Sequence, residues 1–175
     1  MDVYISGGND SINIDKSLAL TRRALELDDQ NLLALTHKAT LLFRKRDIDG
    51  LLRTADDLIK LRPEKPFYIS QKAFYLELNG DSLNATEYYG RALTMYGEYL
   101  KKDSSDFNLM MEYVGVLEMS GDTTLADKTL TKMKTMNFDD SQKQIIELYK
   151  TQSVSKRQLL KFWRGEIGFE QIVEK

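Results

Sequence analysis

A shift of 34 residues lays this chain over itself. It carries Ala39 onto Ala73, Leu42 onto Leu76 and Asp47 onto Asp81. It also carries Ala24 through Leu58 to Ala92, Leu25 through Ile59 to Leu93, and Leu27 through Leu61 to Met95. A shift of 41 then takes Ala73, Leu76, Gly80, Asp81, Ala85 and Ala92 onto Val114, Leu117, Gly121, Asp122, Ala126 and Met133. Self-similarity at a fixed period restricts a chain to stacked units, each of which buries its apolar face only against its neighbours. The additional residues of the longer shift lie between Leu93 and Phe107 and amount to about two helical turns. The Thr94 to Lys102 segment can therefore extend a helix while its apolar face stays in phase.

Apolar residues recur at helical spacing, no stretch alternates long enough to make a half-buried strand, and only Pro63 and Pro66 interrupt the pattern. The expectation is an all-α chain with helices near residues 15–28, 31–45, 48–61, 65–79, 82–102, 105–120, 123–136, 140–152, 156–164 and 168–174. Small residues such as Ala39 and Ala73 let antiparallel helices approach, and the Arg46-Asp47, Gly80-Asp81 and Gly121-Asp122 pairs end one helix and cap the next. Asp47, Asp81 and Asp122 thus read as structural. With 175 residues and 42% hydrophobic content the chain can bury one continuous core.

These residues resemble the tetratricopeptide repeat, a unit of two antiparallel helices. One copy runs from Leu32 to Lys65 with Ala39, the Arg46-Asp47 turn and Pro63 at the terminal proline. The second, Pro66 to Tyr99, carries Ala73, Gly80-Asp81, Ala85, Tyr89 and Ala92. The third, Phe107 to Phe138, keeps Gly121-Asp122, Ala126 and Leu130 but has Val114 and Met133 where the family prefers smaller side chains. Near the start of the first helix, where the family commonly has an aromatic, the chain has Leu35, Ile69 and Met110.

The resemblance implies a right-handed α-α superhelix (solenoid) of antiparallel helix pairs. It divides the chain into an N-terminal arm at 1–14, helical repeats at 15–152 and C-terminal capping helices at 153–175. Asn13 to Leu27 reads as the second helix of a repeat whose first helix is missing, as expected of a piece processed from a longer protein. The alternative is a strand-like or disordered arm in which Val3, Tyr4 and Ile5 cover the exposed edge. Leu159, Leu160, Phe162, Trp163, Phe169, Ile172 and Val173 read as a cap on the last repeat.

The resemblance also implies a concave face lined by the first helices. Its inward positions are Leu33, Thr36, Thr40, Phe43 and Arg44 in the first copy and Phe67, Ser70, Phe74, Glu77 and Leu78 in the second. In the third they are Asn108, Met111, Gly115, Glu118 and Met119. The family's clamp for acidic C-terminal peptides needs Lys, Asn and Arg where this chain has Thr36, Thr40, Gln71, Asn108 and Glu112, so that ligand class is disfavoured. The expected ligand is a protein or peptide segment supplying apolar side chains, bound chiefly by Phe43, Phe67, Phe74 and Met111. Self-association through the ends of the array is the alternative reading. An accessory domain of an enzyme whose catalytic part lies elsewhere is a third.

Little else in the sequence carries chemistry. The only histidine, His37, has no partner histidine or cysteine for a metal and no accompanying nucleophile motif, so no catalytic, metal or cofactor site is expected. Gly7-Gly8 lacks the Lys-Ser/Thr of a phosphate loop. Asp28-Asp29, Asp56-Asp57 and Asp139-Asp140 fall at helix ends or exposed faces. The 25 basic residues nearly balance the 27 acidic ones, which gives no footprint for nucleic acid. No apolar run reaches the roughly 20 residues needed to span a bilayer. Compartment is unknown from these residues; the cytoplasm is the first reading and a processed exported form the second. Tyr68, Tyr75, Tyr88, Tyr89, Tyr96 and Tyr99 form an unusual concentration of tyrosine, read as core with some members free for contact. Lys156, Arg157, Lys161 and Arg164 give the terminal helix a basic face.

Overall fold

Three turns of one design set the architecture. Asp47, Asp81 and Asp122 each donate a backbone N–H to the carbonyl of Leu42, Leu76 and Leu117, at 3.0, 2.9 and 2.9 Å, closing the helix that precedes them. The same three carboxylates accept the backbone N–H of Gly50, Asn84 and Leu125, at 2.9, 3.2 and 3.0 Å, opening the helix that follows. One residue thus satisfies orphan groups of two helices and leaves no slack between them. The chain reverses through a left-handed residue at Arg46 (φ 58°), Gly80 (φ 82°) and Gly121 (φ 98°).

The protein is described by a computed structural model for residues 10–173, with side chains for 13–172. Ten helices follow in order among these residues: α1 (Asp10–Leu27), α2 (Leu32–Lys45), α3 (Ile48–Leu61), α4 (Pro66–Leu78), α5 (Ser82–Lys102), α6 (Phe107–Ser120), α7 (Thr123–Thr135), α8 (Asp140–Gln152), α9 (Lys156–Trp163) and α10 (Glu170–Val173). The chain is all-α, as its periodicity predicts. The insertion lies within α5, which runs 21 residues. Helix α1 begins inside the segment read as an N-terminal arm, because helical backbone already starts at Asp10. Gly7-Gly8 and the Val3 to Ile5 stretch lie outside the described residues.

From α1 to α8 each helix packs against the next, and α4 also touches α6. Ala39, Ala73 and Val114 are buried at equivalent points of α2, α4 and α6, as are Leu58, Ala92 and Met133 at equivalent points of α3, α5 and α7. Alanine pairs let backbones approach; the larger Val114 and Met133 fill a wider crossing with Leu117, Leu130, Phe107 and Phe138 around them. Tyr75, Tyr89 and Tyr96 belong to the core, whereas Tyr68, Tyr88 and Tyr99 are half-buried. Tyr99 donates its hydroxyl to the Glu64 carbonyl at 2.9 Å, tying α5 to the α3–α4 turn.

At Gly121 a built Cβ meets no atom within 4 Å, so the glycine is required by its φ of 98° and not by space. Gly121→Ala is therefore expected to lower stability by about 1 kcal/mol, read as a fall in urea midpoint at unchanged m-value.

Candidate interaction groove

The inner sides of α2, α4 and α6 frame a groove of about 580 Å³. Thr36, Thr40 and Phe43 of α2, Phe67, Ser70 and Phe74 of α4, and Met111 and Met119 of α6 line it together. These eight were singled out in the sequence, and the one repeated unit brings them to one surface. Ala39, Gln71, Tyr75, Glu112, Gly115 and Val116 complete the floor and walls. Leu33 is elsewhere and 80% exposed.

The lining is more apolar than its composition implies. Thr36 gives its hydroxyl to the Leu32 carbonyl at 2.9 Å, Thr40 to Thr36 at 3.3 Å, and Ser70 to Phe67 at 2.8 Å. Each hydroxyl is bonded within its own helix, which leaves methyl and methylene surface toward the groove. Phe67 stands 40% exposed at the mouth. A Cβ at Gly115 would stand in ordinary van der Waals contact with the Tyr149 hydroxyl, at 3.7 Å, and crowd nothing.

Carboxylates border this apolar strip, and each holds a tyrosine. Tyr96 donates to Glu112 at 3.0 Å, Tyr149 to Glu118 at 2.7 Å and Tyr89 to Glu77 at 3.4 Å. Burial, followed by the neighbouring carboxylate, pushes all three phenols well above their usual range. Burial alone pushes Tyr75 up to about 12.

The C-terminal segment lies beside Glu118, Gly121 and Thr123 of the last copy and extends beyond it. It turns back after α8 and reaches α2 and α4. Phe43 lies 5.3 Å from Phe162 and 5.7 Å from Trp163, ring to ring, and 6.2 Å from Phe74. The Arg44 guanidinium lies 4.6 Å from the Phe169 ring centre and Arg46 lies 4.8 Å from that of Phe162. Lys156 pairs with Glu77 at 2.7 Å. So Phe43, Arg44 and Glu77, read in the sequence as ligand contacts, are engaged by the chain's own tail. The physical reason is that α9 carries an apolar stripe that α8 leaves uncovered, and Phe43 and Phe74 offer the matching aromatic surface. Leu159 of α9 and Tyr149 of α8 then form the far wall of the groove. Sequence reasoning missed both, since each reaches the site through a contact distant along the chain.

His37 is half-buried on α2. No group of three or more His, Cys, Asp or Glu side chains able to hold a metal occurs among the described residues. Nor is any helix among them long and apolar enough to cross a membrane. No protein-family model matches the chain, and no curated protein matches it either.

The tyrosines fix the sign of an alkaline transition. A phenol whose folded pKa is raised stabilises the fold fully below its unfolded pKa of about 10, and that contribution is lost as pH rises through the folded value. Stability is expected to be flat from about pH 7 to 9 and to fall steeply above pH 10, Tyr75 alone removing on the order of 2 kcal/mol by pH 12. Urea midpoints across this range check it; Tyr75→Phe should make the fall shallower.

Proposed function

We propose that this protein is an interaction module that takes a polypeptide segment in the groove between α2, α4 and α6. In this reading the helix pairs follow the right-handed superhelix of the tetratricopeptide family, with the groove on its concave side. The observation that carries it is the apolar lining of Phe67, Phe74, Met111 and Met119, beside which the hydroxyls of Thr36, Thr40 and Ser70 are bonded within their own helices. Such a surface offers burial and dispersion but few hydrogen bonds, so it suits a segment that satisfies its own backbone, an amphipathic helix, better than an extended strand. Methionine adds adaptability, since its unbranched side chain moulds to differing partners. No catalytic role is part of the proposal: the residues in the groove supply no nucleophile paired with a base.

Gly115 supplies the test. Gly115→Leu fills the groove from its floor while replacing a poor helix former with a good one, worth up to about 1 kcal/mol of helix stability. Peptides selected from a random library on the wild type are expected to bind Gly115→Leu at least tenfold more weakly, with the urea midpoint unchanged or raised. Equal binding to both proteins would remove the groove from the proposal.

A second reading draws on the end helices. Leu20 and Leu27 of α1 are 71% and 85% exposed, and Ile145 and Leu148 of α8 are 46% and 42% exposed. Apolar side chains at both ends suit self-association. A mass by light scattering that rises with concentration, and returns to the monomer in Leu27→Glu, would favour it; a constant monomer mass would discard it.

A further inference from the structure

The tail that closes one side of the groove has the composition of a ligand for it. Over 153–173 the segment carries Lys156, Arg157, Lys161 and Arg164 against Glu166 and Glu170, so its part before Gly165 is wholly basic. Glu77 pairs with its Lys156, Glu118 lines one hollow with its four basic residues, and Glu112 shares the groove lining with its Leu159. Its apolar stripe places Phe162, 4% exposed, between Phe43 and Phe169, and lays Trp163 against Phe43. Leu159 belongs to the tail and to the groove wall alike, so the tail's seat and the open groove are one surface.

The attachment depends on side chains. Among the described residues the backbone hydrogen bonds of α9 and α10 close within the segment, as in Arg164 to Leu160 and Glu166 to Lys161. An element held that way opens at lower cost than one joined to its neighbours by long helix packing. Arg46 marks the coupling. It is the one non-glycine residue with positive φ among those described, and the two sister turns have glycine at its place. A left-handed conformation costs a side chain roughly 1 to 2 kcal/mol. The Arg46 guanidinium lies over Phe162 and beside Gly165, so this strained position holds the tail.

We propose that segment 153–173 is an internal ligand of the groove, standing in for a partner that is a basic amphipathic helix with adjacent aromatic anchors. The inference rests on the groove being the binding surface, and it adds the partner's chemistry and a competitor for the site. A tethered ligand acts at an effective concentration in the millimolar range. The intact protein therefore binds such a partner weakly until the tail is displaced.

Trp163 is the sole tryptophan and reports the tail in the full-length protein. The double variant Lys156→Glu, Phe162→Ala removes two tail contacts and changes no residue of the surface that receives them, so the helix pairs keep their stability and the added peptide meets an intact seat. Its emission is expected to shift to the red relative to wild type at unchanged helical circular dichroism. A fluorescein-labelled peptide of residues 153–173 should bind this variant at least tenfold more tightly than wild type by anisotropy. The same peptide with all four basic residues replaced by Glu should lose at least tenfold on the variant. Equal affinity for variant and wild type would show that the tail blocks nothing, and equal affinity of the charge-reversed peptide would show that the groove does not select a basic helix; either overturns the inference. If library peptides bind in a Gly115-dependent way while the tail peptide fails on the variant, the groove stands and the internal ligand falls. If neither class binds, both fall.

Discussion

The aspartate that ends one helix and begins the next is the constraint from which the rest of the structure follows. At Asp47, Asp81 and Asp122 the backbone N–H completes a helix C-terminus while the carboxylate caps an N-terminus. Because both bonds belong to one residue, the two helices leave the turn at a set angle with no spare chain. Repeating that turn sets α2, α4 and α6 in equivalent positions of successive pairs, which brings the same positions of each to one surface. The recurrence of Phe43, Phe74, Met111 and Met119 on one surface thus follows those turns and the packing of successive pairs, while Leu159 and Tyr149 join it through contacts distant along the chain.

That logic explains what could be read from the sequence. Boundaries such as Ile48, Ser82 and Thr123 follow from capping chemistry that acts within four residues, and the structure puts α3, α5 and α7 there. Nine of the groove residues, Gly115 among them, follow from the period, because a helix that repeats its crossing residue also repeats its inward face. The start of α1 at Asp10 lies before Ala24, the first residue that the period matches, so the repeat could not mark it. The tail's seat was hidden more deeply. Lys156 to Trp163 reads as an amphipathic helix, and its stripe says that something covers it without saying what. Only the meeting of Phe43 with Phe162, residues far apart in the chain, supplies the answer.

The carboxylate margin shows how stability and selectivity share residues. Glu77, Glu112 and Glu118 accept hydrogen bonds from Tyr89, Tyr96 and Tyr149, which join helices α4 to α5, α5 to α6 and α6 to α8. Each bond satisfies a carboxylate, half-buried at Glu77 and Glu118 and exposed at Glu112, beside an apolar strip. At Glu77 a cation has been drawn in, and it is Lys156 of the tail. The same three residues therefore fix the wall and give it a sign.

An apolar strip edged by negative charge would be a hazard if left open, since exposed patches of this kind promote indiscriminate association. A tail of matched sign and shape lowers that exposure without filling the groove, for Phe67 stays 40% exposed. Coverage and access then depend on one equilibrium, the docking of α9 on Phe43. Its position is set by rings and two arginines, interactions of about 0.5 to 1.5 kcal/mol each. A few such terms hold the tail in place at rest, while a partner burying comparable aromatic area can replace it. The strained Arg46 turn adds specificity to that balance: the backbone conformation that costs stability in the free repeat aims the guanidinium at Phe162, and a partner without an aromatic at that point gains nothing from it.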